Sequence, residues 1–226
     1  MTSTAIAFDD GSNDDVRALI RVEARRLAPS LHEIVADGLT RSSKRLIGIN
    51  RKEHPVLLPL LLRADIRGIL NERTLPEGWE VAGDPKLMEQ LHFVNRALGI
   101  EQKFAKERRR SYPGGIRPAG HTHAGRKFYA NPTFDLGPQF AVAPPATINL
   151  VLAWDLIGEE VEDGFTLRVA HPIAPGVYGR AVPTDLSIDL LPGGEIFDKQ
   201  EFAGSADLGN IFDEIDLEAE EDDTGE

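Results

Sequence analysis

The sequence predicts an α+β fold in which an N-terminal helical half packs on a C-terminal antiparallel sheet, a meander, followed by a disordered acidic tail. Apolar residues recur at helical spacing in the first half and alternate with polar residues in the second, and acids dominate the end. The predicted segments are a flexible N-terminus (1–12), a helical region (13–110), a basic Gly/Pro-rich loop (111–126), an antiparallel β region (127–204) and an acidic tail (205–226).

Apolar spacing defines the helices of the first half. A stripe that begins at Val16 predicts a first helix, which Pro29 ends, and Ser30 can cap a second helix that continues toward Leu46. The apolar run from residue 54 predicts a buried helix to about Asn71. Its length is too short to span a bilayer.

A fourth helix is predicted after residue 83. Asp84-Pro85 is a helix-start signal, because aspartate caps a helix and proline suits its first position. Leu87, Leu91 and Val94 follow at helical spacing, so we expect this helix to continue to about residue 106.

Alternation defines the strands of the second half. Residues 147–156 and 165–170 alternate around an acidic turn, which predicts a β-hairpin. Residues 182–190 form another alternating run, and we expect a first strand at 128–136. The polar alternate positions predict an antiparallel sheet with one face in water, and no β-α-β alternation is visible.

Composition excludes several classes of protein. The 226 residues contain no cysteine, which excludes disulfides, thiolate metal sites and cysteine nucleophiles. No run of about 18 apolar residues is present, so no membrane partner is expected. The first 15 residues carry four acids and no base, unlike a signal or transit peptide, and we expect a cytoplasmic protein.

The net charge of −12 is distributed in blocks. Residues 16–52 carry +6 and residues 103–127 carry +7, whereas residues 128–226 carry −18. Local fields act over about 8–10 Å, so the basic blocks can meet a polyanion, the chain's own acidic half or a second copy.

The second basic block supplies candidate residues for binding phosphate or nucleic acid. Aromatic residues are interleaved with its cations, and such a loop can follow phosphates and stack on bases, although a merely solvated face also explains it. No RNP, KH or helix-turn-helix signature accompanies them. The candidates are Lys106, Arg108, Arg109, Arg110, Arg117, Arg126 and Lys127.

Two weaker patterns indicate metal chemistry. His121 and His123 form an H-x-H pair, which in extended backbone can supply two ligands of a divalent metal from one side, but no motif supplies a third. Asp155 and Asp185 could converge at strand ends as catalytic carboxylates of a Mg²⁺-dependent nuclease. Solvated loop histidines and carboxylates on a wet sheet face explain the same residues. Apart from such a metal, no cofactor is predicted.

The acidic tail carries one apolar stripe. Leu208, Ile211, Phe212 and Ile215 fall at i, i+3, i+4 and i+7, which is the spacing of a helix that docks in a groove. The stripe could bind a partner protein or pack on the chain's own core, because periodicity does not distinguish the two.

These observations predict a non-enzymatic interaction or regulatory protein. It would bind a partner protein or a polyanion through its basic surface, with the acidic tail serving regulation or assembly. One alternative is a metal-dependent phosphodiesterase or nuclease whose basic loop holds phosphate. Another is a subunit of a symmetric homo-oligomer in which opposite charge blocks meet.

Overall fold

The computed structural model describes residues 13–134 and 147–198. Its helices are α1, α2 and α3, its strands are β1 to β7, and a 3₁₀ turn occupies Val161–Asp163. In chain order the elements are α1 (Asn13–Arg45), α2 (Leu57–Leu70), β1 (Glu80–Ala82), β2 (His92–Asn95), β3 (Ile100–Lys106), α3 (His123–Tyr129), β4 (Ile148–Leu156), β5 (Phe165–Pro172), β6 (Thr184–Leu190) and β7 (Ile196–Asp198). The strands form one sheet in chain order, which confirms the α+β class.

α1 is one helix of 33 residues that passes through Pro29, so the predicted break there is wrong. An internal proline costs about 3 kcal/mol, because it removes one helical hydrogen bond and crowds the preceding turn. Residues on both sides of it are fully buried, including Leu27 and Leu31. Their burial against the rest of the fold outweighs the cost, since packing supplies most helix stability in proteins.

The helix predicted from Asp84 to Lys106 is wrong, and residues 13–110 are only partly helical. Met88 and Glu89 adopt positive φ angles of 55° and 54°, so the backbone leaves helical geometry there. β2 and β3 then pair as an antiparallel hairpin. Leu87, the first apolar residue of the supposed helical stripe, is 63 % exposed.

The hairpin predicted for residues 147–156 and 165–170 is confirmed as β4 and β5. The alternating run at 182–190 is confirmed as β6, which pairs antiparallel with β5. β7 closes the described sheet beside β6 and was not predicted.

The sheet departs from a meander at one junction, because β3 and β4 are parallel. Parallel strands need a long crossover connection, which contains α3. The strand predicted at 128–136 is therefore wrong in its described part, where residues 128 and 129 end α3 and residues 130–134 are not in a strand.

The two faces of the sheet are covered differently. On the first, which we call the helical face, α1 and α2 bury a large apolar cluster that includes Phe104, Leu152 and Trp154. On the opposite, loop face, Val151 and Ala153 pack against α3 and neighbouring loops in a smaller cluster. None of the helices in the described residues is long and apolar enough to cross a membrane.

The predicted flexible N-terminus lies outside the described residues, and so do residues 205–226 with the apolar stripe Leu208, Ile211, Phe212 and Ile215.

Candidate functional site

A cleft of about 1170 Å³ opens at one end of the sheet. One wall is the segment that joins α1 to α2, residues 46–55. The other is the segment that follows β3, residues 107–111, and the turn between β4 and β5 closes the cleft. Elements far apart in the sequence therefore meet here.

The cleft is rich in charge of both signs. Its cationic side chains are Arg51, Lys52, Lys106, Arg108, Arg109 and Arg110, and its carboxylates are Glu107, Asp155, Glu159 and Glu160. Several of the cations are already paired with these carboxylates. What the cleft can bind therefore depends on which charges remain accessible.

A buried ion pair anchors the wall that follows β3. Arg168 and Glu107 have side chains that are 5 % and 1 % exposed, and Arg168 Nε donates to Glu107 Oε1 over 2.9 Å. Arg168 also donates to Ser187 Oγ over 3.2 Å and to the Gly114 carbonyl oxygen. Its guanidinium thus joins β5, β6 and the loop in one network, which satisfies charges that would be costly to bury alone.

Backbone hydrogen bonds fold this loop back on itself. The amide of Arg108 donates to the Gly115 carbonyl over 2.8 Å, and the amide of Tyr112 donates to the Arg108 carbonyl over 2.9 Å. Gly115 has φ +82°, and an added Cβ would stand 2.8 Å from Glu107 Oε2. Both the backbone angle and the close approach require glycine there.

The resulting turn exposes three consecutive arginines, Arg108, Arg109 and Arg110. Arg109 Nε donates to Glu107 Oε2 over 2.6 Å, and this bond raises the pKa of the Arg109 guanidinium. Within the part of the chain that the structure describes, neither Arg108 nor Arg110 forms an ion pair. Two guanidinium groups are thus available to an incoming anion.

Lys106 lies at the base of the cleft, over Trp154. Its Nζ is 5.4 Å from the ring centroid and 3.9 Å from Asp155 Oδ1. Burial lowers the pKa of Lys106, although Asp155 opposes the shift. Burial also raises the pKa of Asp155, with Lys106 again opposing.

The opposite wall is tied to the turn between β4 and β5. Lys52 Nζ lies 3.0 Å from Glu159 Oε2, and Arg51 donates to the Glu159 carbonyl oxygen over 3.0 Å and to the Glu160 carboxylate. Glu159 and Glu160, the two carboxylates of that turn that line the cleft, are therefore already paired with cations of the cleft itself.

The cleft also presents aliphatic side chains to solvent. Ile47 is 81 % exposed, Ile157 is 68 % exposed and Ile49 is 39 % exposed. No aromatic residue is among the described residues that line it. Exposed aliphatic side chains grouped beside exposed cations are typical of a binding surface.

The predicted basic residues separate into two groups. Lys106, Arg108, Arg109 and Arg110 line the cleft, whereas Arg117, Arg126 and Lys127 do not. Arg126 and Lys127 are exposed on α3. Arg117 lies near Lys103 and Tyr129 and lowers the pKa of Lys103, after the larger effect of burial.

The aromatics that were expected to stack on bases are largely covered. Tyr112 is buried and packs edge-to-face on Tyr178, with ring centroids 5.6 Å apart. Tyr129 is buried, which raises its pKa to about 12, and Phe128 is half-buried beside it.

Sequence reasoning missed Arg51 and Lys52 as part of the site. They end the first basic block, but no spacing in the sequence places them opposite residues 108–110.

Both histidines of the proposed metal pair are exposed, and neither lies on a strand. His123 is the first residue of α3, and Thr122 caps that helix by accepting from the Gly125 amide over 3.1 Å. In residues 13–134 and 147–198, no group of three or more His, Asp or Glu side chains is arranged to hold a metal ion. Metal binding at His121 and His123 stays a prediction.

The two candidate catalytic carboxylates do not converge. Asp155 faces Thr166 near the start of β5, whereas Asp185 contacts His171 near its end, about 16 Å further along the strand. Asp185 Oδ1 lies 2.5 Å from His171 Nδ1, and Asp185 Oδ2 accepts from the Phe134 amide over 2.6 Å. Asp185 therefore serves a buried structural pair rather than the cleft.

No family model matches this chain, and comparisons with curated proteins and with solved structures find no match either.

Proposed function

We propose that this chain is a non-enzymatic binding protein whose cleft holds an acidic, partly apolar peptide segment of a partner. The observation that carries the proposal is one surface that combines Arg108 and Arg110, which form no ion pair with any described residue, with the exposed side chains of Ile47 and Ile157. Acidic side chains of the ligand would meet the arginines, and its apolar side chains would cover the isoleucines.

The position of the arginines favours recognition without catalysis. Arg108 and Arg110 are exposed at the rim, where charges steer a ligand and speed its association. The apolar part supplies most of the affinity, since burying hydrocarbon contributes about 25 cal/mol per Å². Asp155 is paired with Lys106, and Asp185 is bound to His171 further along the sheet, which gives little support to a nuclease site built from these two carboxylates.

The lining favours a peptide over a nucleic acid. Single strands gain about 1–3 kcal/mol per base by stacking on aromatic side chains. The cleft offers isoleucines at the corresponding surface, and Tyr112 and Tyr129 are buried elsewhere. Three consecutive exposed arginines would still attract phosphates, so a nucleic acid belongs in the test as a competing ligand.

The test is a fluorescence-anisotropy titration with a labelled 20-residue peptide that has leucines at i, i+3, i+4 and i+7 and glutamates elsewhere. A peptide with lysines in place of the glutamates, and a mixed-sequence single-stranded DNA, serve as competing probes. The titration is repeated on the Ile211→Asp/Phe212→Asp variant, because the chain's own tail carries the same pattern as the acidic peptide.

We expect saturable binding of the acidic peptide that the Arg108→Glu/Arg110→Glu variant weakens at least tenfold. Arg126→Glu/Lys127→Glu makes the same charge change on α3 and should leave the affinity unchanged. Failure of both the wild type and the tail variant to bind would overturn the proposal, and so would tighter binding of the DNA or of the lysine peptide.

A further inference from the structure

We propose that the occupant of the cleft in the free protein is the chain's own C-terminal segment, residues 208–226, bound within the same molecule. The segment would then act as an internal competitor of external acidic ligands. This inference rests on the proposed function of the cleft and adds a regulatory role for the tail.

The tail and the cleft have complementary chemistry. The apolar stripe at Leu208, Ile211, Phe212 and Ile215 is followed by residues 216–226, which contain seven acids and no base. The cleft offers the matching pair of features, exposed isoleucines and two arginines that form no ion pair within residues 13–134 and 147–198. The tail is thus an example, within this chain, of the acidic and partly apolar ligand that the cleft fits.

The distances allow the tail to reach. Asp198 at the end of β7 pairs with Ile188 of β6, which pairs with Val169 of β5, which in turn pairs with Leu152 of β4. Asp198 is therefore three strands away from Leu152. Three strand spacings amount to about 14 Å across the sheet. The cleft begins two or three residues beyond Leu152 on β4, which adds about 10 Å along the strand. The ten residues from Asp198 to Leu208 extend up to about 33 Å.

Tethering makes such a contact effective even if the segment binds weakly. Covalent attachment through a short connection gives a local concentration on the order of millimolar. An added peptide must displace the tail. The apparent affinity of the peptide therefore falls by a factor equal to the local concentration of the tail divided by the tail's own dissociation constant. Removing the tail from the cleft should therefore strengthen binding of the added peptide about tenfold or more.

The experiment measures energy transfer between two dyes on the full-length chain. The sequence contains no cysteine, so labels attach only where cysteines are introduced. Thr224→Cys carries one dye and Glu53→Cys, on the cleft wall, carries the other. In the control pair, Glu72→Cys replaces Glu53→Cys. Residue 72 follows the end of α2 that is away from the cleft, and the 14 residues of α2 span about 20 Å.

We expect higher transfer for the Glu53 pair than for the Glu72 pair, independent of protein concentration. Ile211→Asp/Phe212→Asp and, separately, Arg108→Glu/Arg110→Glu should lower transfer of the Glu53 pair to that of the control. These positions lie outside the described core or are exposed on it, so folding should persist; circular dichroism checks this.

Equal transfer in the two pairs, or transfer that neither variant changes, would overturn the inference. Transfer that rises with protein concentration would place the tail in the cleft of a second copy and would also overturn binding within one molecule.

The peptide titration separates this inference from the proposed function. If the wild type and Ile211→Asp/Phe212→Asp bind the acidic peptide equally well, the tail does not compete and only the inference fails. If neither binds the peptide, the proposed function of the cleft fails. Tighter binding by the tail variant, together with the expected transfer, supports both.

Discussion

The two faces of the sheet are stabilised by different chemistry. The helical face is covered by apolar side chains of α1 and α2 that pack on Phe104, Leu152 and Trp154. The loop face has a much smaller apolar cluster, and beside it lies the buried pair of Glu107 and Arg168. This pair anchors one wall of the cleft, the segment that follows β3.

The two faces of the sheet therefore tolerate substitutions differently. Apolar packing is spread over many weak contacts, so its loss is gradual and depends on volume. A buried ion pair depends on two groups, and either one left alone is a desolvated charge. The site is therefore attached to the part of the fold that is most sensitive to single substitutions.

The largest effect on stability is expected from Arg168→Ala. It leaves the buried Glu107 carboxylate without its principal partner, which should cost about 3–5 kcal/mol of unfolding free energy. Urea denaturation at pH 7 measures this. Replacing both partners, as in Glu107→Leu/Arg168→Met, should cost less than Arg168→Ala alone; the opposite order would show that the loop face is not held by this pair.

A smaller effect is expected on the helical face from Gly38→Ala. An added Cβ would stand 2.8 Å from Leu62 Cδ1 and 3.2 Å from Ile66 Cγ1, where α1 crosses α2. Overpacking of this kind costs about 1–3 kcal/mol, which exceeds the helix propensity gained. Thermal unfolding measures it, and Gly68→Ala is the control, because its Cβ would meet nothing within 4 Å. Equal stability of the two variants would contradict close packing at Gly38.

Acid should destabilise the protein through two histidine–carboxylate pairs, the half-buried pair of His92 and Glu101 and the buried pair of His171 and Asp185. The hydrogen bond from His92 lowers the pKa of Glu101. Burial raises the pKa of Asp185, but hydrogen bonds from His171, the Phe134 amide and Thr133 together lower it by more. The net effect is a lowered pKa. Both carboxyl groups thus have a lower pKa in the folded protein than in the unfolded chain. The stability that they contribute is present above about pH 4 and is lost as pH falls through their folded pKa values.

The measurement is the urea midpoint at pH 7, 5 and 3. We expect a steep fall only between the last two, and Glu101→Gln/Asp185→Asn should flatten it. A midpoint that is the same at pH 3 and pH 7 would exclude a stabilising role for these carboxylates.

The smallest effect on stability is expected from Arg108→Glu/Arg110→Glu, although it should abolish most peptide binding. Both side chains are exposed and unpaired in the described residues, and such substitutions usually change stability by less than about 0.5 kcal/mol. Thermal unfolding checks this beside the titration. A large loss of stability would show that the arginines support the loop rather than serve a ligand.

Part of the site was visible in the sequence. The run at residues 108–110 predicted a basic surface, and the structure exposes it. The opposite wall at Arg51 and Lys52 was not predicted, because contacts between residues about 55 positions apart leave no local pattern. The separation of Asp155 from Asp185 was hidden for the same reason, since strand register is a property of the assembled sheet.

Elements whose apolar side chains repeat with a single period could be predicted without the structure. The sequence predicted the buried helix near α2, the β4–β5 hairpin and β6, because period alone assigns their buried faces. Three features depend on tertiary contacts instead. α1 continues through Pro29, β2 and β3 lie within residues 92–106, and β3 runs parallel to β4. In each case long-range burial or pairing outweighed a local preference worth only a few kcal/mol, which no single stretch of sequence reveals.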